Sequence, residues 1–188
     1  MLQRDYSRSA QAQRLWGDLF IAAGLDPAET ARDRLILRVQ PPVAGREWAR
    51  SAGTVGFHRD TWGSNLYAQV NWWAPVYPVS AGRTFAFLPE LFAQPLENSS
   101  EGYDIQSLIA RNRGEGPPVR QGEMTPRLTR DVDLSSAQPV IIAPGEVITF
   151  SGQHAHVGVP NTTPLTRISL DTRTIRITDI RAGRGARN

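Results

Sequence analysis

From Leu35 onward the chain is divided into short apolar, β-branched or aromatic runs, each closed within a few residues by proline or glycine. Runs of that length and composition predict strands rather than helices. Leu35 to Val39 stops at Pro41-Pro42. The further predicted strands are Thr54 to Asp60, Tyr67 to Trp73, Thr84 to Leu88, Val140 to Ala143, Val147 to Ser151, His154 to Val159 and Thr166 to Ile177. Pro75, Pro78, Pro89, Pro144-Gly145 and Pro160-Asn161 punctuate them. Helical spacing belongs to the start, where Leu15, Trp16, Leu19, Phe20 and Ala23 share one face of a helix over Tyr6 to Gly24. Asp26-Pro27 then offers a cap and first position for a short second helix through about Asp33. Helices followed by many strands, without regular alternation, predict a mainly β jelly-roll barrel with N-terminal supporting helices.

The 188 residues, 40% of them hydrophobic, suit one domain. Within it, 1–34 forms the helical support and 35–177 the barrel, with a lid-like insertion at 94–139 and a flexible tail at 178–188. There is no cysteine, which excludes thiol nucleophiles, thiolate metal sites and iron–sulfur clusters. All 21 basic residues are arginine, so neither a lysine Schiff base nor a phosphate-loop lysine is available. The absence of a Gly-x-Gly-x-x-Gly fingerprint leaves a nicotinamide or flavin site without support. Despite a net charge of +3, the arginines are scattered, and Arg181, Arg184 and Arg187 read as a solvated tail rather than a nucleic-acid surface. The apolar run Leu19 to Ala23 is too short to cross a bilayer or to form a signal-peptide core, so the expectation is a cytoplasmic protein with no membrane partner.

The three histidines fall in two places, Phe57-His58-Arg59-Asp60 and Gln153-His154-Ala155-His156. On a strand, His58 and Asp60 would share a face, and a later strand carrying His154 or His156 would complete two histidines and one carboxylate around a metal. That facial set leaves open positions, as in non-haem iron(II) oxygenases. Pro160-Asn161-Thr162-Thr163-Pro164 is a turn by composition, and a hairpin closed there would set His156 opposite Arg167. Arg167 would then present a guanidinium beside the metal, with Ser169 adding a hydroxyl on the same face; a dicarboxylate spanning metal and arginine would satisfy both ends. Tyr67, Gln69, Asn71 and Trp73 would line one face of their strand and Trp72 the other. Asn71 is the one expected to touch cosubstrate or substrate.

His58-Arg59-Asp60, then His156 with Pro160-Asn161 after it, then Arg167-Ile168-Ser169, resemble the pattern of 2-oxoglutarate- and iron(II)-dependent oxygenases. The similarity is to the phytanoyl-CoA-dioxygenase-like branch and spans about Thr54 to Ile177. It implies a double-stranded β-helix (jelly-roll/cupin-like), with His58, Asp60 and His156 as Fe(II) ligands and Arg167 and Ser169 on the far carboxylate of 2-oxoglutarate. The implied reaction uses O2, releases succinate and CO2 and hydroxylates a C–H bond of a small-molecule substrate; Asp60 speaks against halogenation. The distances to the Pro-Asn turn and to Arg167 favour His156 over His154, which would orient a ligand or line the entrance. Two other readings stay open: a cupin-like isomerase or dioxygenase without 2-oxoglutarate, and a jelly-roll binding module with no catalysis. Trp48 or the N-terminal helix offers a homodimer contact.

Overall fold

Ser9 interrupts the helical pattern at the N-terminus. Its hydroxyl accepts from the Ala12 amide at 3.3 Å, so α1 (Leu2–Arg8) and α2 (Ala10–Ala22) replace the single helix expected from Tyr6. The architecture is taken from a computed structural model in which residues 2–43, 56–118 and 125–186 are described. Trp48, Thr54 and Arg187 lie outside the described residues.

Two antiparallel sheets follow. The larger contains β1 (Thr30–Arg32), β2 (Ile36–Gln40), β3 (Val70–Pro75), β6 (Ile148–Ser151) and β8 (Arg167–Arg176). Strand β8 is its spine: β1 and β2 pair along one edge, β3 along the other, and β6 extends the sheet from β3. The smaller sheet has the order β5 (Gln138–Pro139), β4 (Phe85–Phe87), β7 (His156–Gly158). Three helices stand between or after strands: α3 (Asp60–Ser64), α4 (Ile105–Asn112) and α5 (Ile177–Arg181).

Side chains alternate across β3 and β8, because both faces of the larger sheet are covered. Trp72 and Leu170 point toward α2 and pack with Trp16, Phe20 and Leu35, and the Phe20 and Trp72 rings lie 4.9 Å apart. Trp73 points the other way, into an aromatic core shared with Phe85, Phe87 and Phe150 between the sheets. Ala86, Leu88 and Val157 are buried in a further cluster with Phe57 and Leu91.

Several expectations are corrected. Among the described residues the two sheets do not close into a barrel. The smaller sheet's strands are two or three residues long and end at or just before Pro89, Pro139 and Pro160, which supply no amide hydrogen to continue a ladder. The predicted second helix is instead a turn, in which Asp26 Oδ1 accepts from the Ala28 amide, followed by β1; pairing with Thr174 to Arg176 of β8 overrides the local helix signal. Val140 lies just beyond β5 rather than starting a strand, although its amide bonds to the Phe85 carbonyl at 2.9 Å. The 94–139 stretch contains α4, capped by Asp104. The tail begins as α5 and is tied down through residue 186, since the Ala186 amide donates to Asn65 Oδ1 at 3.0 Å. Among the described residues no helix is long and apolar enough to cross a membrane.

The hairpin expected between His156 and Arg167 does not form: β7 pairs with β4, and β8 lies in the other sheet. The intervening turn crosses between sheets because it is anchored to β2 of one and to the turn that leads into β4 of the other. Fully buried Asn161 donates to the carbonyls of Gln40, at 3.0 Å, and Leu165, while the Thr162 amide bonds to Gly82 at 3.0 Å.

Candidate metal centre

His58 and His156 come from distant parts of the chain, yet their main chains form an isolated bridge. Each amide donates to the other's carbonyl at 3.0 Å, which sets the two rings 4.2 Å apart between centroids. Asp60 is not on a strand with His58, as the sequence reading had it. It is the first residue of α3, which forms because Thr61 and Trp62 are buried and Asn65 ends the turn in the left-handed region at φ 52°. The carboxylate still arrives at the same place: one donor atom each from His58, Asp60 and His156 lie within 4.8 Å of one another.

The imidazoles are oriented for this arrangement. His58 Nδ1 lies 2.8 Å from the Gly56 carbonyl and His156 Nδ1 2.9 Å from the His154 carbonyl. A carbonyl only accepts, so each Nδ1 carries hydrogen and Nε2 is left as the ligand atom turned inward. His58 Nε2 then faces Asp60 Oδ1 at 3.4 Å, a spacing that suits either a shared proton or a cation between them. Burial, reinforced by the neighbouring His58 ring, pushes the His156 imidazole down to about 4, so it is neutral at pH 7. Burial alone would raise the Asp60 carboxyl, but close contact with His58 and the positive charge of Arg173 hold it well below the usual carboxylate range. Two imidazole nitrogens and one ionised carboxylate, with both imidazoles tied back to carbonyls, fit a divalent transition metal.

Asn71 Nδ2 donates to Asp60 Oδ2 at 2.5 Å, and Asn71 Oδ1 accepts from Gln69 Nε2 at 2.8 Å. Asn71 lines the pocket, with its amide nitrogen on Asp60 and its amide oxygen on Gln69. Arg173 approaches Asp60 Oδ1 at 3.4 Å and Asp33 at 3.1 Å. His154 stays out of the triad. Its ring packs on Phe87 and Phe92, with centroids 5.0 and 4.6 Å away, and its main-chain carbonyl, not its imidazole, orients His156.

The triad opens on a pocket of about 660 Å³ empty volume between the sheets, lined by Trp73, Phe85 and Phe150 along one side and by Arg38, Arg167, Asp171 and Arg173 along the other. Arg167 is buried, and its Nη1 donates to the Thr84 carbonyl at 2.8 Å, spanning from β8 to the strand opposite. Its Nε and the Oγ of fully buried Ser169 have no hydrogen-bond partner among the described residues. Burial and the neighbouring Arg38 lower Arg167 to about 10, so it remains a cation at neutral pH.

Sequence reasoning missed Arg38, Asp171 and Arg173. The signal was present: Asp171 and Arg173 continue the alternation that puts Ser169 beside Arg167, and Arg38 is the charge within Leu35-Ile36-Leu37-Arg38-Val39.

No protein-family model matches the chain, and no curated protein is similar to it in sequence. Solved structures do resemble it. EvdO2 from Micromonospora carbonacea var. aurantiaca, complexed with 2-oxoglutarate, aligns with a TM-score of 0.55 and 18% identity over 92% of this chain and 62% of its own. SnoK, a non-heme alpha ketoglutarate dependent carbocyclase from nogalamycin biosynthesis, gives 0.55 and 14% over 90% and 60%. ThoJ, a non-heme monooxygenase, gives 0.53 and 16% over 89% and 56%. The chain therefore spans about 60% of the length of these proteins, and what it shares with non-heme, 2-oxoglutarate-related enzymes is a β-rich fold.

Proposed function

We propose that the chain is an Fe(II)- and 2-oxoglutarate-dependent dioxygenase that hydroxylates a C–H bond of a small-molecule substrate, within the phytanoyl-CoA-dioxygenase-like branch. One observation carries the reading: His58, Asp60 and His156 present three lone-pair donors within 4.8 Å on the wall of a pocket that also contains a buried, carboxylate-free guanidinium, Arg167. In this reading the three residues hold Fe(II). Arg167, through its unpartnered Nε, takes the far carboxylate of 2-oxoglutarate, and Ser169 can add its hydroxyl. Bound iron and cosubstrate supply the oxidising chemistry with O2, releasing succinate and CO2. The chain's own contribution is to keep Asp60 ionised and His156 neutral, to orient both imidazoles, and to exclude water with Trp73, Phe85 and Phe150.

The inward position of Arg167 favours this reading over a cupin-like isomerase or dioxygenase that does without 2-oxoglutarate, for which an arginine in the pocket has no task. A binding module with His58 and Asp60 as a surface pair is disfavoured by their burial, with side chains 11% and 13% exposed. An anaerobic titration tests the proposal. Fe(II) followed by 2-oxoglutarate should produce the weak visible charge-transfer band of the chelate, and His58→Ala, Asp60→Ala and His156→Ala should each abolish it in folded protein. A band that survives all three substitutions refutes the site.

A further inference from the structure

The pocket's polar wall holds more positive charge than its own carboxylates neutralise. Arg173 is shared between Asp33 and Asp60, and Arg38 is paired with Asp171 at 2.6 Å, whereas among the described residues Arg167 hydrogen-bonds only to the neutral Thr84 carbonyl. The Arg38 pairing uses Nε alone. Its two outer nitrogens have no hydrogen-bond partner among the described residues, and the side chain, 33% exposed, lines the pocket.

Strand register fixes where that free edge lies. On β2 and β8, Gln40 is opposite Arg167, Arg38 opposite Ser169, and Ile36 opposite Asp171. Arg38 thus stands one row closer than Arg167 to the Arg173 and Asn71 row that borders the triad. Asp171 grips the inner edge of the guanidinium and so directs the outer edge at the cavity.

We propose that Arg38 is a second carboxylate-binding group of this pocket, distinct from Arg167 and positioned by Asp171, so that the site takes two carboxylates. The inference deepens the proposed function and rests on it for the identity of the first ligand. The second carboxylate has two sources with the same chemistry: the 2-oxo acid end of the cosubstrate, or an acidic substrate whose apolar part lies against Trp73, Phe85 and Phe150.

Calorimetry on Co(II)-loaded protein under nitrogen separates them. Because Arg38→Gln alone would strand the buried Asp171 carboxylate, the variant of choice is Arg38→Gln with Asp171→Asn, and Arg38→Lys serves as the charge-retaining control. A loss of about 10- to 100-fold in 2-oxoglutarate affinity, the usual worth of a charged hydrogen bond, with partial recovery in Arg38→Lys, assigns Arg38 to the cosubstrate. Unchanged 2-oxoglutarate affinity, with benzoate binding to the 2-oxoglutarate-saturated wild type lost in the double variant, assigns it to an acidic substrate. Affinity for 2-oxoglutarate within twofold of wild type, with no benzoate binding that depends on Arg38, overturns the inference. Glutarate binding to metal-free wild type and double variant reads Arg38 without the triad, so a failure of the metal centre is distinguishable from a failure of this proposal.

Discussion

Asn71→Ala should weaken metal binding without altering any of the three ligands. Asn71 is buried on β3 and holds Asp60 Oδ2 at 2.5 Å, which leaves Oδ1 facing His58. Truncation removes one hydrogen bond to an ionised group, worth about 1.5–3 kcal/mol, and frees the carboxylate to rotate away from the histidines. That energy corresponds to a loss of about 10- to 100-fold in metal affinity, the range typical of residues that orient ligands. The same change deprives the Gln69 amide of its acceptor, and the metal-free protein should lose about 1–3 kcal/mol of stability as well. The assay is a visible ligand-field titration with Co(II) against a competing chelator, followed by 2-oxoglutarate titration of the metal-saturated variant. Co(II) affinity within twofold of wild type would refute the reasoning. So would a loss confined to 2-oxoglutarate, which would show that Asn71 touches the cosubstrate and not the carboxylate.

Three further outcomes are expected. Arg167→Gln should weaken 2-oxoglutarate by roughly 100-fold while leaving Co(II) affinity unchanged, as read by calorimetry; equal losses of both would contradict the assigned role. Metal-free protein should be fully stable above about pH 6.5 and lose stability as the pH falls toward 4, because the unfolded chain protonates His156 at roughly 6.5 and the folded one only at about 4. Urea unfolding should register a loss of about 2 kcal/mol at pH 5, and a slope that persists undiminished in His156→Gln would count against this assignment. Thr174→Val should cost about 1–3 kcal/mol in the same measurement by stranding the buried Trp72 indole hydrogen, which now donates to Thr174 Oγ1 at 2.8 Å; a neutral result would mean that the indole finds another acceptor.

The long alternations were legible in the sequence because the larger sheet is buried on both faces, so parity along β3 and β8 decides which side chains meet α2 and which meet the pocket. That parity put Trp72 opposite Asn71 and Trp73 and put Ser169 with Arg167, as found. Strand starts were less legible: Tyr67 is spent on a turn in which the Gln69 amide bonds to the Leu66 carbonyl, so β3 begins at Val70. Strand β1 has no pattern of its own and exists through its pairing with β8. The hairpin inference failed because a turn's composition says where the chain reverses, not which strand receives it; Asn161 is anchored to β2 and Thr162 to Gly82 in the turn before β4. The metal donors were readable from spacing, but Asp60 reaches them from a helix. What fixes that helix is burial of Trp62, 3% exposed, a contact no local pattern announces.

The reciprocal main-chain bonds between His58 and His156 mean that the spacing of the two rings is decided by one pair of peptide groups, independent of the length of chain that separates them. Closing a longer or shorter loop across such a clasp changes the free energy only logarithmically. Changes of length in the chain between β4 and β5 that spare the buried Leu88 and the partly buried Leu91 should therefore leave the grip beneath with its dimensions unchanged.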